Sequence, residues 1–153
     1  MADPVAEVER AMIAIRRSQA RRTLSRLARE RAAGARLDSA VIGVLDAVEE
    51  GEQRGEASTV TAVAAALSID QPRASRLVSR AVDEGLLRRE ADQADGRRAV
   101  LVLTESGRTR IDEMHTFRRA MFAEAMRDWS AADRATFGRL LTDFAQRFTE
   151  LGR

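Results

Sequence analysis

Ten residues near the middle of the chain carry side chains suited to reading or holding a polyanion. Gln71, Pro72, Arg73, Ser75, Arg76, Ser79 and Arg80 lie in the run QPRASRLVSRAVDE, and Asp95, Arg97 and Arg98 lie in DQADGRR. Arginine presents a planar fork that grips a guanine edge or a phosphate through two parallel hydrogen bonds. Serine bonds either a base or a phosphate, and Gln71 at the start of the run can pair with adenine. At about 100° per residue, positions 72, 73, 75, 76, 79 and 80 turn away from Ala74, Leu77, Val78 and Ala81. The run therefore reads as a helix with one apolar face and one face of arginines and hydroxyls. The paired arginines of DQADGRR sit where a β-hairpin tip is expected. Such a tip can enter the minor groove, whose narrow A·T tracts carry enhanced negative potential. Asp95, two residues before Arg97, is expected to hold that arginine extended by pairing with it.

Other chemistry is sparse. The chain has one His, His115, and no Cys. It contains no H-E-x-x-H and no glycine-rich phosphate loop. No nucleophile, base and orienting group come together at recognisable spacing, so no catalytic residue, metal ligand or cofactor is expected. His115 is the only side chain whose ordinary pKa lies near neutrality, which makes it a candidate for sensing a ligand. The absence of Cys rules out disulfides and thiol redox sensing and fits the cytoplasm. No apolar run approaches the roughly 18 residues that span a bilayer, and no secretory signal is visible, so a membrane is not an expected partner.

All 26 basic residues are Arg, set against 24 acids, for a net charge of +2 in 153 residues. The strongly basic isoelectric point reports missing Lys, Tyr and Cys more than a large positive excess. Local charge is more informative. Between Arg10 and Arg31 there are eight arginines and one acid, Glu30. That stretch is either a solvated face or a surface for an acidic partner or phosphates.

These residues need elements to place them. Residues 5–31 read as a helix with Val5, Val8, Met12 and Ile15 at helical spacing, and AAGAR (32–36) as a break. A second helix over 37–49 carries Leu37, Val41, Val44, Leu45 and Val48 on one side, followed by a loop over 51–57. Ser58 or Thr59 caps a short helix ending near Leu67. The turn S-I-D then leads to Asp70 as a cap, Pro72 in a first helical turn and Gly85 as a stop. Ile69 plugs the turn, and Val63, Ala64 and Leu67 face the following helix. Two strands, 86–90 and 98–103, flank the charged tip. A long helix runs from Thr104 to about Trp129. Ser130, with Asp133 three residues on, caps a last helix. That helix is expected to bury Phe137, Leu140, Leu141, Phe144, Phe148 and Leu151. The fold class is mainly α with a small β-hairpin wing. It is a winged helix-turn-helix between long N- and C-terminal helices.

The run STVTAVAAALSIDQPRASRLVSRAVDEGLLRREADQADGRRAVLVLTESG resembles the winged-helix core of the MarR family, the multiple antibiotic resistance regulators. The matching elements are QPRASRLVSRAVDEGLL, an Arg-containing strand, D-G-R-R and V-L-V-L-T-E-S-G. The resemblance implies an N-terminal dimerisation helix over 1–36, a DNA-binding lobe over 37–104 and C-terminal dimerisation helices over 105–153. It implies a homodimer on double-stranded DNA, with Arg97 of the wing in the minor groove and the recognition helix over 71–84. It also implies a small aromatic or anionic effector bound between dimer lobe and winged lobe, for which Arg16, Arg17 and His115 are candidates. The absent Cys departs from the peroxide-sensing branch, and the absent Tyr removes a common hydrogen-bond donor from a pocket.

The expected function is a transcriptional regulator, a repressor released from a pseudo-palindromic operator by a ligand. An architectural DNA-binding protein of low sequence specificity and a winged-helix protein–protein module stay open as alternatives.

Overall fold

The computed structural model describes the backbone of residues 3–33 and 39–152 and the side chains of 3–22 and 39–152. In chain order the elements are α1 (Pro4–Ala33), α2 (Ser39–Arg54), α3 (Val60–Leu67), α4 (Gln71–Asp83), β1 (Leu87–Ala91), β2 (Ala99–Leu103), α5 (Glu105–Ala125) and α6 (Ala131–Leu151). The chain divides into two compact units, Met1–Ile111 and Asp112–Arg153. Of the expected break over 32–36, residues 34–36 lie outside the described residues, as does Leu37.

The first unit is built around one apolar core. Val41, Val44, Leu45 and Val48 of α2 pack with Val63 of α3, Val78 and Ala81 of α4, Leu86, Leu87, Leu101, Leu103 and Ile111. The apolar stripes of α2 and α4 are buried as their spacing predicts. Leu67 and Leu77 are half-buried against the same cluster. Ile69, in the turn, is half-buried as well.

Caps fix the short helices. Thr59 Oγ1 accepts from the Ala62 N–H at 3.1 Å, and Asp70 Oδ1 accepts from the Arg73 N–H at 2.8 Å. Each such cap contributes about 1 kcal/mol. Between them Ser68 adopts a left-handed conformation, with φ 52°. Gly85, at φ 72°, turns the chain out of α4. β1 and β2 pair antiparallel with Leu87 opposite Leu103 and Ala91 opposite Ala99.

Most boundaries shift by one or two residues, and two helix ends differ from the sequence expectation by four or more. Helix α2 does not stop near residue 49 but continues through Gly51 to Arg54. The glycine serves packing here rather than a turn. A Cβ at position 51 would overlap the Ser58 Oγ, because the 55–58 segment folds back over the last turn of α2. The Glu56 N–H donates to the Gly51 carbonyl at 2.9 Å, and Ser58 Oγ donates to the Val48 carbonyl at 3.4 Å. Gly55, at φ 68°, makes the actual stop. Helix α5 ends at Ala125 rather than near Trp129. Arg134 fixes the end there, its Nε and guanidinium nitrogen donating to the carbonyls of Met126 and Arg127 at 3.0 and 2.9 Å.

The second unit holds the rest of α5 and all of α6. Ser130 caps α6, its Oγ accepting from the Asp133 N–H at 3.1 Å. Trp129 and Phe137 meet edge to face at 5.1 Å, and Phe144 stacks on Phe148 at 5.7 Å. The expectation that α6 buries its apolar stripe does not hold within one chain. None of its residues is buried. Leu140, Leu141, Phe148 and Leu151 remain 45–86% exposed. The stripe Val5, Val8, Met12 and Ile15 of α1 is exposed in the same way.

Candidate nucleic-acid interface

Helix α4 divides by chemistry. Ala74, Val78 and Ala81 are fully buried, and Leu77 is half-buried. Gln71, Pro72, Arg73, Ser75, Arg76, Ser79 and Arg80 are all exposed. The inner face docks the helix on α2 and α3, which forces the arginines and hydroxyls outward. The first turn is set by Asp70 and opens with Pro72, whose missing N–H costs nothing there.

Two side chains of this face are engaged by neighbours. Gln71 Nε2 donates to Thr61 Oγ1 of α3 at 3.2 Å. Arg80 Nε donates to Glu84 Oε1 at 2.9 Å, one helical turn away. That ion pair holds a carboxylate beside the C-terminal end of the face and offsets part of the Arg80 charge. The spacing of Arg80 and Glu84 is legible in the sequence. The partnership of Thr61 with Gln71 is not, because it depends on how α3 crosses α4.

The wing is a short hairpin with a tightly organised tip. The Asp92 N–H donates to the Arg98 carbonyl, and the Arg98 N–H to the Asp95 carbonyl, each at 2.9 Å. Asp92 Oδ1 accepts from the Ala94 N–H at 2.9 Å, and Asp95 Oδ1 accepts from the Arg97 N–H at 3.1 Å. Both aspartates thus fold the loop onto itself. The sequence spacing predicts that Asp95 pairs with the side chain of Arg97. Asp95 bonds the Arg97 backbone instead, because a carboxylate two residues back in a turn reaches that N–H first. The effect is still to fix the tip. Asp95, Arg97 and Arg98 are all exposed there. On β1, Arg88 is bound to Glu90, with nitrogen–oxygen distances of 2.7 and 2.6 Å.

The root of the wing is anchored at several points. The Leu101 N–H donates to the Ser58 carbonyl at 2.8 Å, which ties the outer edge of β2 to the segment before α3. The Leu103 N–H donates to Glu52 Oε1 at 3.4 Å, and Arg108 donates to Glu52 Oε2 at 3.0 Å. Thr104 Oγ1 donates to the Gly85 carbonyl at 2.6 Å and accepts from the Gly107 N–H at 3.0 Å. One threonine therefore caps α5 and clasps the end of α4's turn. Sequence reasoning missed Glu52 and Ser58, whose partners lie about 50 and 40 residues away.

The effector candidates belong to other helices than α4 and the wing. Arg16 and Arg17 are exposed on α1 in the first unit, and His115 is half-buried on α5 in the second. Among the described residues, no group of three or more His, Cys, Asp or Glu is placed to hold a metal ion.

The order helix-turn-helix, antiparallel hairpin and capped helix is that of a winged helix. The family model described as MarR family matches residues 37–98, which run from α2 through the wing tip. The matched lobe is similar to the MarR family. Solved structures extend the likeness in fold to both units taken in sequence. A MarR family protein from Bacillus stearothermophilus is 21% identical, with a TM-score of 0.72, covering 95% of each chain. Bordetella bronchiseptica BpsR, from work on the regulation of its DNA binding by 6-hydroxynicotinic acid, is 24% identical with a TM-score of 0.52. The match covers 84% of this chain and 91% of BpsR. S. aureus MepR, bound to ethidium bromide, is 18% identical with a TM-score of 0.59, covering 94% and 95%. Among curated proteins nothing matches. Within this lobe, the ten residues singled out in the sequence occupy the outer face of α4 and the tip of the wing.

Proposed function

We propose that the protein is a DNA-binding transcriptional regulator. It acts as a homodimer on a pseudo-palindromic operator, as a repressor that a small aromatic or anionic ligand releases. The observation that carries this reading is the exposed α4 face, with Arg73, Arg76 and Arg80, in one lobe with a wing tip that exposes Arg97 and Arg98. A recognition helix reads base edges in the major groove, and a basic tip suits the minor groove. The domain reading keeps α1 and the helices from residue 105 onward for dimerisation, each apolar face being covered by a second copy. Ligand control is supported by two relatives of the same fold, BpsR with 6-hydroxynicotinic acid and MepR with ethidium bromide. No helix is long and apolar enough to cross a membrane among the described residues.

Two substitutions test the roles of helix and wing. Arg76→Ala costs about 1–3 kcal/mol of operator binding and relaxes preference at one base pair per half-site. Binding titrations on single-base variants of the operator read this directly, and an unchanged preference removes Arg76 from the base-reading set. Arg97→Ala weakens binding most where the flanks of the site are A·T-rich. If the loss is equal on A·T and G·C flanks, Arg97 is a plain phosphate contact.

A further inference from the structure

Gln71 opens α4, and Thr61 is the second residue of α3. Their side chains are exposed, yet they meet across the helix-turn-helix, with Gln71 Nε2 donating to Thr61 Oγ1 at 3.2 Å. The backbones on both sides are fixed by caps, Thr59 for α3 and Asp70 for α4. The bond uses one amide N–H. The second N–H and Oε1 have no partner within the chain among the described residues, so the amide keeps hydrogen-bonding capacity for another molecule. A glutamine at an exposed helix start otherwise samples many rotamers, and ordering it on binding opposes association. Held against Thr61, it presents its remaining donor and acceptor in one place. Released, the side chain re-aims to suit whichever base edge lies near, and it discriminates less.

We infer that Thr61 is a positioning residue for base recognition. Without touching DNA, it sets through Gln71 the base preference at one position of each half-site. The inference rests on the DNA-binding reading above. A structural role alone, in which the bond only ties α3 to α4, predicts something different. Loss of the tie would then lower stability and weaken binding to all sequences equally.

The test compares wild type, Thr61→Val, Thr61→Ser and Gln71→Ala, each used to select from a random duplex library, with unfolding midpoints measured alongside. Val keeps the shape and removes the hydroxyl, and Ser keeps the hydroxyl. Gln71→Ala marks the position that depends on the amide. Thr61→Val is expected to flatten preference at that same position by about two- to tenfold, the span of one hydrogen bond. Thr61→Ser is expected to retain it. The inference is overturned if Thr61→Val yields the wild-type motif, if it weakens every position alike, or if Thr61→Ser flattens the position as much as Val does. If the wild type itself selects no motif, the regulator reading fails and takes the inference with it. A clear wild-type motif with an indifferent Thr61 removes the inference alone.

Discussion

Gly107→Ala lowers the stability of the protein by about 1–3 kcal/mol, a fall of several degrees in the unfolding midpoint for a chain of this size. Gly107 is buried in the first turn of α5. A Cβ added there would overlap the Leu86 carbonyl oxygen and lie 3.2 Å from Leu103 Cδ2. The obstacle is backbone, which cannot swing aside as a side chain can. Moving it would disturb the bond from the Thr104 N–H to that same carbonyl, at 3.1 Å. It would also loosen the Thr104 clasp at the root of the wing. The clash must outweigh the gain of about 1 kcal/mol that Ala brings to a helix interior. Gly138→Ala supplies the control. In α6 an added Cβ meets nothing within 4 Å, so the same change is expected to stabilise there. Thermal unfolding of the two variants reads opposite signs. A Gly107→Ala midpoint at or above wild type would contradict the close approach of α5 to the end of α4.

If the wild type is dimeric as proposed, the double variant Leu141→Asp with Phe148→Asp is expected to be monomeric and to bind operator DNA about a hundredfold or more weakly. The two side chains lie seven residues apart on one face of α6 and are 45% and 61% exposed in the single chain. A helix with this much uncovered apolar surface is not stable chemistry for a free chain in water. Carboxylates placed in a buried apolar interface carry a desolvation cost that association cannot repay. The affinity loss follows from linkage of two half-sites, since a dimer that binds one half-site holds the second at high effective concentration. Light scattering gives the mass, and titration gives the affinity. The winged lobe should keep its fold, because its core of Val41, Leu45, Val78 and Leu103 does not involve α6. A variant that stays dimeric, or a wild type that is monomeric, would contradict the dimerisation role of α6.

Much of the fold is legible in sequence because its signals are local. Thr59, Asp70 and Ser130 act as caps within three residues of the groups they bond. Gly85 stops a helix by its own conformation. The period of Ala74, Leu77, Val78 and Ala81 gives the docked face of α4, and the opposite face of arginines then follows by geometry. What is not legible depends on contacts between distant segments. Gly51 looks like a loop residue, yet it lies in α2 because Ser58 packs over it. Glu52 looks like one charge in an acidic stretch, yet it bonds both β2 and Arg108. Thr61 looks like an ordinary surface residue of a short helix, yet it holds Gln71. The stripe on α6 is legible as apolar, but periodicity does not say whether the cover comes from the same chain. Asp95 bonds the Arg97 backbone and not its side chain, since a backbone N–H competes with a guanidinium at that spacing.

Selection of bound sequences from a random duplex library by the purified protein, at about 0.15 M salt, tests the central claim most directly. An inverted repeat with half-sites centred about 10 base pairs apart is the expected result for a dimer with one α4 per half-site. Recovered DNA without a shared motif, or no recovered DNA from a folded dimer, would contradict it.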